Sequence, residues 1–442
     1  MSGVEASAKA ARFEYLSALS GLRSSAASTA SDRQSQFWIP GRIEVLGKHT
    51  DYGGGRSLLC AIERGICVIG RANDSHAEHP RISVVDANSS EATEFSFAPD
   101  VASRPGHWSN YAITVARRVA SNFSASLRGT DIVFSSDLPS AAGVSSSSAL
   151  VVAVFKALAA VNDLAATPEF KRDIVTCEDL AGYLGSVENG LNFKGLPGQL
   201  GVGTFGGSED HTAILCARTG ALAQFSFCPV AFERAVTLPS ECCFIIGSSG
   251  VRAEKTGAAL DKYNHVSRRL TVGFDLWRNS SQCEAGAMGA AVRTSEHAPA
   301  AIRHALSEVQ DAEFPSESLI RRFDQFLLES EELIPSASAA LDRGDLEAFG
   351  DIVARSQAAA ESALENQIPQ TVGLVASARA LGAVAASAFG AGFGGSVWAL
   401  VRVDASDEFM HRWKADYATA FPDESARADF FRTRAGPAAM QI

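Results

Sequence analysis

The 442-residue sequence has no C-x-x-C pair among its eight cysteines, no long unbroken apolar run and no excess of cations. Each absence excludes a class. Without C-x-x-C spacing, a zinc ribbon or thioredoxin-type motif is out. Cys60, Cys67, Cys177, Cys216, Cys228, Cys242, Cys243 and Cys283 lie mostly in apolar surroundings and read as buried, reduced thiols of a cytoplasmic protein. The stretches nearest to the ~18 apolar residues of a membrane helix are broken by Lys156 and Arg379. Residues 1–36 are rich in Ala and Ser but carry Glu5, Lys9, Arg12 and Glu14, so they lack the apolar centre of a signal peptide. A net charge of −11 is wrong for a polyanion-binding surface, and nucleic acid is not an expected partner. No G-x-x-x-x-G-K-[ST] occurs, which removes a P-loop. Internal repeats and heptads are missing too.

What is present is the composition of a folded protein, 46% hydrophobic and 20% charged. The length exceeds one ordinary core, and two domains are expected, residues 1–235 and 236–442. Residues 8–22 predict a helix ended by Gly21. FWIPGRIEVLG and SLLCAIERGICVIGRA predict strands, WSNYAITVARRVASNF a helix, TDIVFSSDLP a strand, and SSALVVAVFKALAAVNDL a helix with Leu150, Val151, Val154, Phe155 and Leu158 on one face. HTAILCA and CCFIIGSS read as strands, residues 229–240 as a crossing between domains, residues 258–385 as mainly helical, and SVWALVRV as a strand. Strands and helices mix irregularly, so the class is α+β.

Three glycine-rich loops stand out. In LPSAAGVSSSSAL a strand ends at Pro139, the chain turns through Gly143, and a helix starts near Ser146. Free N–H groups at a helix start suit phosphate oxygens, and Ser145, Ser146, Ser147 and Ser148 add hydroxyls. A Ser-rich cap without a ligand is the alternative. FGAGFGGSVWALV contains G-x-G-x-x-G, but a helical stretch precedes it and an apolar strand follows, the reverse of a dinucleotide fingerprint. The third, PGRIEVLGKHTDYGGG, gathers Arg42, Lys48, His49 and Asp51 beside an apolar strand, a composition fit for a polar small molecule.

In their order along the chain, GRIEVLGKHTDYGGG, LPSAAGVSSSSAL and GAGFGGS resemble the three motifs of the GHMP kinases, and the first is similar to the galactokinase signature. WSNYAITVARRV and YNHVSRR echo the same branch, and the likeness spans about residues 37–401. The resemblance implies a two-domain fold, a ribosomal-protein-S5-like α+β domain followed by a ferredoxin-like one, with nucleotide and sugar meeting between them. It implies transfer of the ATP γ-phosphoryl group to the anomeric hydroxyl of galactose or a related sugar, with Mg²⁺. Arg42 then matches the arginine beside the reacting hydroxyl, and Asp210 in GGSEDHTAILCA matches the base. His49, Asp51 and Tyr263 match sugar contacts, Gly143 and Ser145–Ser148 the phosphate loop, and Ser147 with Glu188 the metal ligands. The 22-residue spacing from Glu188 to Asp210 is longer than the family's, which implies an insertion at NFKGLPGQLGVGTF. No oligomeric state is fixed by the sequence beyond a preference for a monomer.

Lys48 departs from the family's glutamate, which holds an outlying sugar hydroxyl. Facing the ligand, its ammonium would favour a uronic acid such as galacturonate. Turned away, it would pair with Glu44, itself a departure from asparagine; His211 in place of glutamine is a third. A sugar and nucleotide sensor without turnover is the alternative to an enzyme.

Overall fold

The computed structural model describes all residues except 1–8, 18–33, 74, 76, 77, 125, 140, 141, 253–256 and 282, and the side chains of 257–260. The first sheet is built on two long strands, β1 (Ser35–Leu46) and β2 (Arg56–Ala72), paired antiparallel with Ile43 opposite Cys60 and Trp38 opposite Cys67. β3 (Arg81–Asp86), β4 (Ala92–Ser96) and β5 (Thr130–Ser136) extend it on the β2 side, and the β3–β5 pair is parallel. The far end of β2 pairs with β6 (Ala221–Ser226), which pairs with β7 (Ala231–Thr237). Residues 229–240, expected as a crossing, therefore contain a strand; the step to the second sheet comes after Thr237. Beneath the sheet lies the Ser146–Val161 helix, whose Val151, Val154, Phe155 and Leu158 are buried as the periodicity predicts.

The second sheet joins β8 (Cys242–Ser248), β9 (Ala385–Phe389), β10 (Ser396–Arg402) and β11 (Asp429–Thr433) in the order β11-β8-β10-β9, all antiparallel. With helices inside the β8–β9 and β10–β11 connections, this is the ferredoxin-like arrangement. The apolar run CCFII is buried on both faces, as a central strand must be. Cys243 and Ile245 pack with Leu374, Phe409 and Trp413, while Phe244 and Ile246 join the main core, which also holds Phe37, Ile39 and Val154 of the first domain. The last strand, β12 (Met440–Gln441), returns to pair with β1. One continuous apolar core thus spans both layers and fixes the groove between them.

Two further readings change. HTAILCA forms the Glu209–Cys216 helix, not a strand: its short apolar run has no period that separates the two, and the acidic pair Glu209–Asp210 starts a helix well. The N-terminal helix is seen over 9–17; the rest of its expected span, residue 8 and 18–22, lies outside the described residues. Among the described residues no helix is long and apolar enough to cross a membrane.

Candidate functional site

Arg42 and Glu44 stand two apart on β1, so the pleat sends both side chains to one face, and register shifts at Pro40–Arg42 and Glu44–Leu46 bracket them. The Arg42 guanidinium, almost wholly buried, gives Nε and Nη2 to Asp210 Oδ1 at 2.8 and 2.6 Å, and Nη1 to the Gly143 carbonyl. Burial works against its charge, but Asp210, Glu44 and Glu209 outweigh it and hold the group protonated. Asp210 sits in the first turn of its helix, where the dipole favours carboxylates. Its Oδ2 lies 3.3 Å from the Ser148 hydroxyl, which is also 3.0 Å from Glu188 Oε2, and His211 Nε2 stands 3.3 Å from that same oxygen.

The expected metal pair was Ser147 and Glu188. In this structure the hydroxyl bonded to Glu188 is that of Ser148, and Ser147 lines the outer groove with Ser145 and Ser146. A helix turns by about 100° per residue, so one step in a serine run exchanges the inner face for the outer one.

The GKHTDYGG turn closes the pocket. His49 adopts a left-handed backbone, φ 57°, with Nδ1 at 3.2 Å from the Tyr52 hydroxyl and Nε2 at 3.2 Å from the Ala391 carbonyl. The Tyr263 ring lies 5.6 Å from the imidazole. Asp51 Oδ2 accepts the backbone N–H of Glu209 at 3.0 Å and so satisfies one of the free donors at the start of the helix that carries Asp210. Gly207 makes that approach possible, since a Cβ there would meet Asp51 Oδ2 at 2.3 Å.

Lys48 does not line the pocket. Its Nζ donates to Ser387 Oγ at 2.7 Å and Ser356 Oγ at 3.3 Å, both on the second domain, and its ammonium is absent from the pocket wall. Glu44 takes the inward place: it lines the pocket, and Gly390 N–H donates to its Oε2 at 3.3 Å. Gly390 has φ 82° and stands against the Gly143 carbonyl, so the FGAGFGG loop touches the Gly143 loop backbone to backbone.

Glu44 and Glu209 form a buried acid pair. Burial chiefly pushes the Glu44 carboxyl up to about 7, against the pull of Lys48 and Arg42. Burial, then Glu44 and Asp51, drive Glu209 well above the ordinary range. Glu44 Oε1 meets no N–H or hydroxyl donor among the described residues; the Glu209 carboxyl lies within hydrogen-bond reach of Glu44, and its Oε2 accepts from Ser57 Oγ at 2.6 Å.

The turn is gripped from the second domain by residues the sequence reading passed over. Arg322 donates to the His49 carbonyl and, at 3.0 Å, to the Tyr52 hydroxyl. Gln325 donates to the Lys48 carbonyl at 3.2 Å, and Glu329 Oε1 accepts Gly47 N–H at 2.9 Å and Lys48 N–H at 3.4 Å. Their signal was a polar face at i, i+3 and i+7 in RRFDQFLLESEE, with all three side chains buried. Buried charges demand partners.

Two hollows share the walls Arg42, Thr204, Asp210 and Ala391. The inner pocket is lined by Glu44, His49, Asp51, Glu188, Asp210 and Tyr263. The outer groove, about 890 Å³, runs from Ser145–Ser147 past Asp86, Asn88, Trp108 and Phe134. Its floor starts at Ser145, left-handed at φ 59°, and the helix N-terminus beyond it, a setting for phosphate.

Two outcomes follow from this geometry. Glu329→Ala strips acceptors from two buried N–H groups and should lower unfolding free energy by about 3 kcal/mol in urea titrations, with Glu329→Gln clearly milder. Glu44 is held protonated to about 7 in the fold but releases its proton near 4.5 when unfolded. The folded state therefore binds more protons between these values, and stability present below 4.5 is lost as pH rises through 7, at up to about 1.4 kcal/mol per pH unit. Glu209 extends that loss to higher pH. Melting temperatures from pH 5 to pH 9 should fall more steeply for the wild type than for Glu209→Gln.

Comparison with known proteins accords with this geometry. The GHMP kinases N-terminal domain matches residues 110–191, the GHMP kinases C-terminal domain 337–419, and the galactokinase galactose-binding signature 37–72. A galactokinase of Roseiflexus sp. (strain RS-1) is 28% identical over 401 residues, 88% of each chain. The fold is similar to that of Lactococcus lactis galactokinase complexed with galactose, with a TM-score of 0.75 at 20% identity over 97% of this chain and 99% of that one. It is also similar to Methanococcus jannaschii mevalonate kinase, with a TM-score of 0.54 at 14% identity over 92% and 99%. The two sheets, the three loops where the hollows meet and these matches make the chain a galactokinase-like member of the GHMP kinases.

Proposed function

We propose that this sugar kinase moves the γ-phosphoryl group of ATP to the anomeric hydroxyl of a neutral, galactose-like sugar, with Asp210 as base. The observation that carries the reading is the Arg42–Asp210 pair at the junction of the two hollows. A sugar in the inner pocket would present its hydroxyl to Asp210, and triphosphate in the outer groove would bring its terminal phosphate to the same point. Asp210 Oδ2 then takes the hydroxyl proton, while Arg42 faces the negative charge that builds on the transferring group. Asp51, His49 and Glu44 offer acceptors and donors to the remaining hydroxyls, and Tyr263 an apolar face.

The donor set fits a hard divalent cation: Glu188 carboxylate and serine hydroxyl at the mouth of the phosphate loop. Glu188 and Ser148, with Ser147 on the groove side, would hold Mg²⁺, which when bound neutralises phosphate charge. The Ser148–Glu188 hydrogen bond would open to admit it.

A neutral sugar is favoured over a uronate because the pocket wall is acidic and the Lys48 ammonium is spent on Ser356 and Ser387. In effect the acceptor expected at 48 is supplied from 44. With ATP, Mg²⁺ and a sugar panel, ADP release should be driven by galactose and not by galacturonate. Asp210→Asn should cut kcat by about 10²–10⁴-fold while sugar affinity by calorimetry changes little. Faster turnover of galacturonate, abolished by Lys48→Met, would overturn the neutral-sugar reading. Tight sugar binding without turnover in the wild type would replace the catalyst with a sensor.

A further inference from the structure

Away from the cleft, two cysteines that stand far apart in sequence meet in space. Cys177 is the first residue of the Cys177–Asn189 helix, capped by Thr176, and Cys216 is the last of the Glu209–Cys216 helix. Their sulfurs are 2.7 Å apart, and the Cys177 thiol also donates to the Leu215 carbonyl at 3.0 Å. Cys177 is exposed and Cys216 partly so, whereas Cys60, Cys67, Cys242 and Cys243 are buried. These two helices bear the chemistry: Glu188 near the end of the first and Asp210 at the start of the second. The 38 residues between the cysteines also supply Thr204, Gly207 and His211 to the inner pocket.

We propose that Cys177 and Cys216 form a dithiol modification site that hydroperoxides close to a disulfide, stapling the outer ends of the two helices that carry Glu188 and Asp210. The helix N-terminus suits a thiolate at Cys177. The hydrogen bond from Cys216, and after it the Lys156 charge, pull that thiol below its ordinary range, while burial and Glu178 oppose them. Cys216 is pushed upward by Cys177 and by burial, and keeps its proton. Cys177 sulfur therefore attacks the peroxide; the O–O bond breaks, one water leaves and a sulfenic acid forms. The Cys216 sulfur then attacks that sulfur, the S–O bond breaks and the second water leaves. Two thiols and one hydrogen peroxide give one disulfide and two waters, two electrons passing from sulfur to oxygen. Because the sulfurs already touch, closure asks for little movement and removes freedom chiefly from the unfolded chain.

The test needs no catalytic assay, so its failure is separate from that of the kinase reading. The full chain is treated with hydrogen peroxide, alkylated and mapped by mass spectrometry, and its melting temperature is followed with and without dithiothreitol. The expected result is a Cys177–Cys216 linked peptide, 2 Da lighter than its reduced components (two hydrogens lost), and a rise of about 2–5 °C reversed by dithiothreitol. Cys216→Ser and Cys177→Ser should each abolish the rise. Recovery of both cysteines alkylated after oxidation of the wild type would overturn the site. A linked peptide with an unchanged or lower melting temperature would overturn the staple. Should one variant fold poorly, the peptide map of the wild type alone still decides the first point.

Discussion

The contact on which the rest depends is the one between Arg42 and Asp210. It joins a bulged strand to the first turn of a helix from 168 residues further along, at the place where a polar pocket opens into a groove. Every neighbouring feature serves that contact. The bulges in β1 aim Arg42; the carbonyl of Gly143 takes its Nη1 and so ties the Gly143 loop to it; Asp51 satisfies the N–H beside Asp210. A charge pair this enclosed is costly unless its own groups are matched, and each guanidinium nitrogen of Arg42 has an acceptor, Nε and Nη2 in Asp210 and Nη1 in the Gly143 carbonyl. That requirement explains why so many polar residues lie together in an otherwise apolar interior.

The second constraint is that the GKHTDYGG turn belongs to one domain and is held by the other. Arg322, Gln325 and Glu329 bind its backbone, and Lys48 reaches back to Ser356 and Ser387. Together with the shared apolar core, this makes the pocket a product of domain packing rather than of one loop. The acid pair Glu44–Glu209 follows from the same enclosure: burial is the chief cause that pushes both carboxyls upward.

Much of this was legible in the sequence. The motif residues Arg42, His49, Asp51, Asp210 and Glu188 do converge, and Tyr263 lies beside them. Strands with β-branched runs and the helix after the serines were read from their periods alone. What was not legible depended on facing. HTAILCA has too few residues for its period to tell helix from strand. That Ser148 rather than Ser147 bonds to Glu188 is set by one helical step, which a serine run does not reveal. Lys48 and Glu44 exchange inside and outside places at the end of a bulged strand, where alternation stops being a guide. The clamp from Arg322 to Glu329 is long-range, and nothing in its local sequence names its partner.

The most direct test is a structure with a neutral sugar and a non-hydrolysable ATP analogue bound. The account places the anomeric oxygen within hydrogen-bond reach of an Asp210 carboxylate oxygen, about 2.6–3.2 Å, with Arg42 beside the terminal phosphate. A sugar seated so that Asp210 lies beyond one intervening water from that oxygen, or a triphosphate that leaves Arg42 untouched, would contradict it.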